Sequence, residues 1–293
     1  MEGVHLKGKF GITLSYQFID QSRKRSGTDH VEEVLTPKVS FEESELEIDH
    51  HREIRTQNTL MQLDLNYGVT ERLTTTVTFP IINERDHEHF DEVGTPHEHF
   101  TREDGTSGFG DMQLGIQYVL FVRFRDMLVV GASLELPTGA HTLRGSEGSI
   151  NEPTIQPGSG STDLKASLRW SHQVIPQKLE TFVSVIHKLN NKNDLDYELG
   201  DETVLSGGFN QSVGSALIWS LQVNARHTGR DNFLGEIVSS TGADLVNLTP
   251  GLRLAVSPNT FIYGYVPIPI YQNVNEAQLT PKSSLLLGVS TTY

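Results

Sequence analysis

Apolar and polar side chains alternate one for one over long stretches of this chain. Between residues 8 and 18, Phe10, Ile12, Leu14, Tyr16 and Phe18 share one face, and Lys9, Gly11, Thr13, Ser15 and Gln17 share the other. Side chains of an extended strand point to opposite faces in turn, so a period of two predicts a two-sided β-strand. The pattern returns at 61–67, 73–81, 112–120, 128–136, 162–170, 217–225 and 246–256, each time with amide, hydroxyl, glycine or charge opposite the apolar row. Stretches at 178–189, 203–212 and 260–271 are less regular. Pro267 and Pro269 in the last of these cannot donate to a ladder, which suggests a place near a rim.

The connections alternate in length. Short ones fall near 68–72, 122–126, 172–178, 213–215 and 257–259, and long polar ones at 19–54, 83–107, 137–160, 190–202, 228–243 and 272–281. This is the rhythm of an all-β, antiparallel, up-and-down transmembrane barrel with short periplasmic turns and long outer loops. The count is about twelve strands, an even number that returns both termini to the periplasmic side. Residues 1–293 form a single barrel domain on this reading. At the end of the chain Leu285, Leu287, Val289, Thr291 and Tyr293 share one face, and the last residue is aromatic.

Composition narrows the alternatives. No window holds the roughly eighteen to twenty continuous apolar residues of a spanning helix, and a mean hydropathy of −0.31 does not argue against a barrel, because only every second residue faces lipid. Cysteine is absent, which removes disulfides and thiolate chemistry. A net charge of −14 without Lys/Arg clusters argues against nucleic acid as a partner. Met1-Glu2-Gly3 leads straight into the first strand pattern, so the numbering reads as that of a mature, secreted chain restarted at Met1.

The segment Asn66-Tyr67-Gly68-Val69-Thr70-Glu71-Arg72-Leu73 resembles the strand–turn–strand signature of a widespread group of outer-membrane transporters named after the meta-cleavage pathway of phenol degradation. Gly108-Phe109-Gly110-Asp111-Met112, Leu136-Pro137-Thr138-Gly139 and Gly158-Ser159-Gly160-Ser161-Thr162-Asp163 are similar to the same group. The resemblance implies a small barrel in the bacterial outer membrane, a terminal strand read by the insertion machinery, and aromatic or hydrophobic solutes as cargo. The acidic, His-rich outer loops depart from the group.

Two loop segments carry metal-binding residue types. Asp86-His87-Glu88-His89-Phe90 and Pro96-His97-Glu98-His99-Phe100 form a near-palindrome. A hairpin centred on Val93 would set His89 against His97 and His87 against His99, four imidazoles suited to zinc, copper or nickel. Glu43, Glu45, Glu47 and Asp49, followed by His50 and His51, could hold a second cation, calcium included. Inside the barrel the polar faces supply Asp64, Asp111, Glu135 and Asp163 beside Lys165, Arg169, Arg226 and Arg253, a set able to tune passage or to pair across and close the lumen.

Catalytic motifs are missing: there is no Gly-x-Ser-x-Gly elbow, phosphate-cradling loop or His-Glu-x-x-His helix, and His187 and His227 have no fixed serine partner. The sequence therefore reads as an outer-membrane channel for small solutes, with lipid, lipopolysaccharide and solute as partners and no required cofactor. The alternative is a plugged surface anchor whose loops bind metal or an extracellular partner. Either could assemble as a homo-oligomer.

Overall fold

The protein, described here as a computed structural model, is resolved into defined structure over residues 4–102, 105–145 and 148–293. Met1-Glu2-Gly3 and the Asp49 side chain lie outside the described residues. Twelve antiparallel wall strands close into a barrel. They are β1 (Phe10–Gly27), β2 (Glu45–Gly68), β3 (Leu73–Asp91), β4 (Met112–Val122), β5 (Asp126–Leu136), β6 (Asp163–Ile175), β7 (Leu179–Leu189), β8 (Glu202–Val213), β9 (Leu217–Thr228), β10 (Ala243–Ala255), β11 (Thr260–Tyr265) and β12 (Ile268–Thr292). Each pairs with the next, and β12 returns to β1 from Gly11↔Thr292 upward, which leaves no open edge to hydrogen-bond in lipid.

The apolar rows face outward. Ile116 on β4 and Leu252 on β10 are 51% and 58% exposed, with Leu134, Leu168, Val223 and Leu287 exposed beside them, while their strand neighbours Asp163, Ser171, Ser220 and Thr249 are buried. A compact soluble fold would invert this arrangement, so the outer face is solvated by lipid. Strands of eleven residues such as β4, β5 and β7 rise about 28 Å at ordinary pitch and tilt, enough to span an apolar band of about 25 Å.

The wall is not equally high all round. β2 has 24 residues and β3 has 19, so the side built from β1, β2 and β3 stands far above the lipid band. The sequence pattern ends β1 at residue 18 because the outward residues turn polar there, although the ladder runs on to Gly27. For the same reason 45–54 and 83–91 are strand rather than loop. The expected long link at 272–281 is instead a hairpin: residues 268–274 extend β11 alongside β10, the chain reverses at Asn275-Glu276 with Glu276 at φ 50°, and 277–292 complete the wall. Pro267 is not at a rim. It sits at the interruption between β11 and β12, next to Val266, whose N–H donates to the Pro250 carbonyl at 3.1 Å, and Pro269 pairs with Asn247 within the wall.

Above the barrel the outer loops build a small core of their own. Val39, Tyr197, Phe233 and Val238 are buried together, with Phe41, Leu46 and Leu199 packed on them. Phe41 meets Phe233 edge-on at 5.3 Å. Three connections, after β1, β7 and β9, thus hold one another in place.

Candidate functional site: the lumen and its inward loop

The connection between β5 and β6, residues 137–162, turns into the barrel mouth. Its two ends are clamped to the start of β4. The Asp111 carboxylate accepts the Gly139 N–H at 2.9 Å, the Ser159 N–H at 2.6 Å and the Ser159 hydroxyl at 2.8 Å. Gly139 and Gly158 pass each other so closely that a Cβ on Gly158 would stand 2.6 Å from the Gly139 backbone. Inside the loop, Gln156 donates to the carbonyls of Leu143 and Asn151 at 2.8 and 2.9 Å, which gives the segment a fixed shape. Further bonds from Asn83 to the Pro157 carbonyl (2.6 Å) and from Thr106 to the Ile155 carbonyl seat it against β3 and its following loop.

The turn Pro153–Ile155 is the tip. Below it lies a lumen cavity of about 570 Å³, and above it one of about 220 Å³. Gln21, Pro153, Thr154, Gln278 and Leu279 line both, so they form the neck between the two spaces. The larger cavity mixes apolar groups such as Leu60, Pro80, Leu245 and Leu279 with polar ones such as Asn83, Arg85 and Gln113. A second, apolar groove of about 850 Å³ includes Trp219, Leu252, Leu254 and Leu287, which point to the lipid side.

The eight charged residues expected in the lumen are placed as follows. Glu135 is bridged by Lys165 at 2.8 Å and Lys188 at 2.6 Å, and Lys188 also reaches Asp163 at 3.1 Å. Lys188 was not among the expected residues, because the irregular 178–189 stretch hid its face. Asp111 and Arg226 line the main cavity, and Arg226 pairs with Glu202 at 2.5 Å. Asp64 accepts from Thr78 and Gln62 at 2.7 and 2.9 Å. Arg169 lies over the Phe182 ring at 4.1 Å. Arg253 lies over Phe261 at 4.4 Å and lines a small space of about 140 Å³ with Glu180 and Asn210. His187 and His227 contact Thr203 (2.9 Å) and Asp244 (2.7 Å).

The four histidines of the near-palindrome do not meet. The hairpin pairs Phe90 with Phe100 and Asp91 with His99, so its centre lies beyond Val93. The two phenylalanine rings stack edge-on at 5.5 Å and Arg52 covers Phe90 at 4.3 Å, a contact that fixes this register. His97 and His99 are left exposed, whereas His87 and His89 are buried on the inner side of the tall wall.

What gathers around His89 instead draws on both loop segments. The ring centroids of His51 and His87 lie 4.5 and 4.7 Å from that of His89. Asp91 accepts from His50 Nε2 at 2.7 Å and faces His51 Nε2 at 3.1 Å. Glu152, one residue before the tip turn, lies 3.3 Å from His51 Nδ1, and Glu53 lies 3.5 Å from His87 Nε2. Burial opposes a charge on His51, but the Asp91 and Glu152 carboxylates outweigh it and raise the imidazole to about 10. Burial likewise opposes charge on Asp91 and Glu152, and the neighbouring histidines nevertheless hold both carboxyls below their ordinary value. The inward loop is therefore tied to the tall wall by ionic contacts as well as by the Asp111 clamp.

The sequence pattern of the family described as "Putative MetA-pathway of phenol degradation" matches residues 42–273. No curated protein matches. Among solved structures, the COG4313 outer membrane channel from Pseudomonas putida F1 is similar with a TM-score of 0.68 at 12% identity, over 100% of this chain and 97% of that one. A deltaS2 mutant of the TodX monoaromatic hydrocarbon channel follows at 0.50 and 11%, over 98% and 90%. These likenesses establish the fold of a bacterial outer-membrane barrel.

Proposed function

The chain belongs to the phenol-degradation family that its sequence matches, and on that premise we propose that it is a channel through which a small aromatic solute with a polar substituent diffuses unchanged. The observation that carries this reading is the mixed lining of the 570 Å³ lumen cavity beneath a structured neck. A dry apolar cavity of about 150 Å³ already accepts benzene, so the lumen has room for one ring and a few waters. Leu60, Leu245 and Leu279 offer the ring an apolar surface, and Asn83, Gln113 and Arg85 offer hydrogen bonds to a hydroxyl. TodX is by name a monoaromatic hydrocarbon channel, and the family name points to phenol; both fit such a lining.

Planar-bilayer recordings and proteoliposome uptake test the proposal. Discrete conductance steps are expected, with phenol equilibrating faster than a sugar of comparable mass. Asp111→Ala frees both ends of the inward loop and should enlarge the steps. A barrel that stays silent and impermeable in both forms would overturn the reading in favour of a surface anchor.

A further inference from the structure

We infer that His50, His51 and Asp91 form a binding site for a divalent transition ion of the zinc class, built where the inward loop meets the tall wall. The three ligand atoms lie within 4.8 Å of one another. Two of the three residues are buried, and the third is half-buried. Imidazole and carboxylate together favour zinc and its neighbours over the hard cations that all-oxygen clusters hold.

Three features distinguish the arrangement from an accidental cluster. First, sequence neighbours on a strand normally point to opposite faces, yet His50 and His51 both aim Nε2 at the same carboxylate. The ladder explains how: Thr36 pairs with His51 but Lys38 pairs with Glu47, so extra residues of β2 bulge between these pairs and re-aim the side chains. Second, the far nitrogen of each ring faces its own carboxylate. His50 Nδ1 lies 2.9 Å from Glu47 and His51 Nδ1 lies 3.3 Å from Glu152. The first is a pair of the carboxylate–histidine kind that orients ligating imidazoles, whereas His51 Nδ1 and Glu152 Oε1 form no hydrogen bond and are drawn together by charge. Third, a cavity of about 30 Å³ adjoins the site, lined by His51, His87, His89, Asp91 and Glu152. It has room for the water ligand of an ion.

The distances suit insertion of an ion. Bonds of about 2.0–2.1 Å in a tetrahedral site require ligand atoms about 3.3 Å apart. The observed separations to Asp91 are 2.7 and 3.1 Å, so the side chains need to part by only a few tenths of an ångström. Positive charge now comes from the protonated His51 ring and from Lys38, whose Nζ lies 3.4 Å from His50 Nε2 and 3.8 Å from Asp91, and the His51 proton must leave before that ring can ligate. An entering ion displaces that ammonium. Three protein ligands then leave one coordination position for water.

Calorimetry with zinc chloride on the folded, detergent-solubilised barrel tests the site, with ion content of the dialysed protein as a second measure. Wild type should bind a single tight equivalent. His51→Ala and Asp91→Asn should lose it, Glu152→Gln should weaken it about 10–100-fold as removal of an orienting partner does, and His97→Ala/His99→Ala should change nothing. Lys38→Met removes the competing charge and leaves every ligand in place, so it should tighten binding about tenfold. Resistance to unfolding in unheated SDS shows which variants keep the barrel. The inference fails if zinc does not bind, if binding disappears with His97 and His99 instead, or if Lys38→Met weakens it. None of these outcomes bears on whether the lumen conducts.

Discussion

At the residue scale the outer cap shows what a single buried hydroxyl does. Tyr197 donates to Asp231 at 2.7 Å, and the Gly200 N–H reaches the other carboxylate oxygen at 2.8 Å. Burial raises the Asp231 carboxyl above its ordinary value in spite of these donors. A carboxyl whose folded-state value is raised holds its proton more tightly in the folded form. Its contribution to stability is therefore complete at acid pH and is lost as pH rises through the folded-state value. Tyr197→Phe leaves the charge with one donor fewer and should cost about 1–3 kcal/mol at neutral pH. Limited proteolysis of the 190–201 and 229–242 loops should show faster cleavage of this variant at about pH 8 than at about pH 5. Asp231→Asn should remove most of that pH difference; an unchanged difference would mean that another group sets it.

At the scale of elements, the wall strands and the inward loop respond to different substitutions. Ile116 projects into lipid from the middle of β4, and an arginine there should cost about 2–4 kcal/mol, read as a lower guanidinium midpoint for folding into vesicles. Gly158→Ala acts elsewhere. Its new methyl meets the Gly139 backbone, and since neither chain can yield without moving the Asp111 clamp, the loop ends must separate. Larger conductance with little change in barrel unfolding is expected, because the wall ladder is untouched. The wall was legible in the sequence because lipid imposes an apolar face on every second residue. Legibility ended where lipid ends: the upper halves of β1, β2 and β3 have polar residues on both faces, and strand there leaves no period to detect. The cap core escaped for a related reason, since Val39, Tyr197, Phe233 and Val238 come from three separate loops. The histidine-rich segments were recognisable as chemistry, but their grouping depended on a hairpin register set by Phe90 and Phe100 and on a bulge in β2. Neither has a signature in residue spacing.

For the whole molecule, the unequal wall height links the metal site to the passage. Strands that merely spanned the membrane would end below the level of His51, which lies on β2 about 25 Å above Met61 at ordinary rise and tilt. The extra height carries the cluster up to the inward loop, where Glu152 on one side of His51 precedes the Pro153 that lines the neck. An ion held by His50, His51 and Asp91 fixes the His51 ring, and the ring in turn fixes Glu152. If the lumen conducts as proposed, zinc added on the loop side should lower the open-state current or lengthen closures, while zinc on the turn side must first pass the lumen and the neck and should act only at higher concentration. Glu152→Gln, with zinc raised to saturate its weakened site, should uncouple the two, since it keeps all three ligands and loosens the link to the neck. Equal block from both sides, or block that survives in His51→Ala, would place the action of zinc in the lumen charges Glu135 and Asp163 rather than at His50, His51 and Asp91.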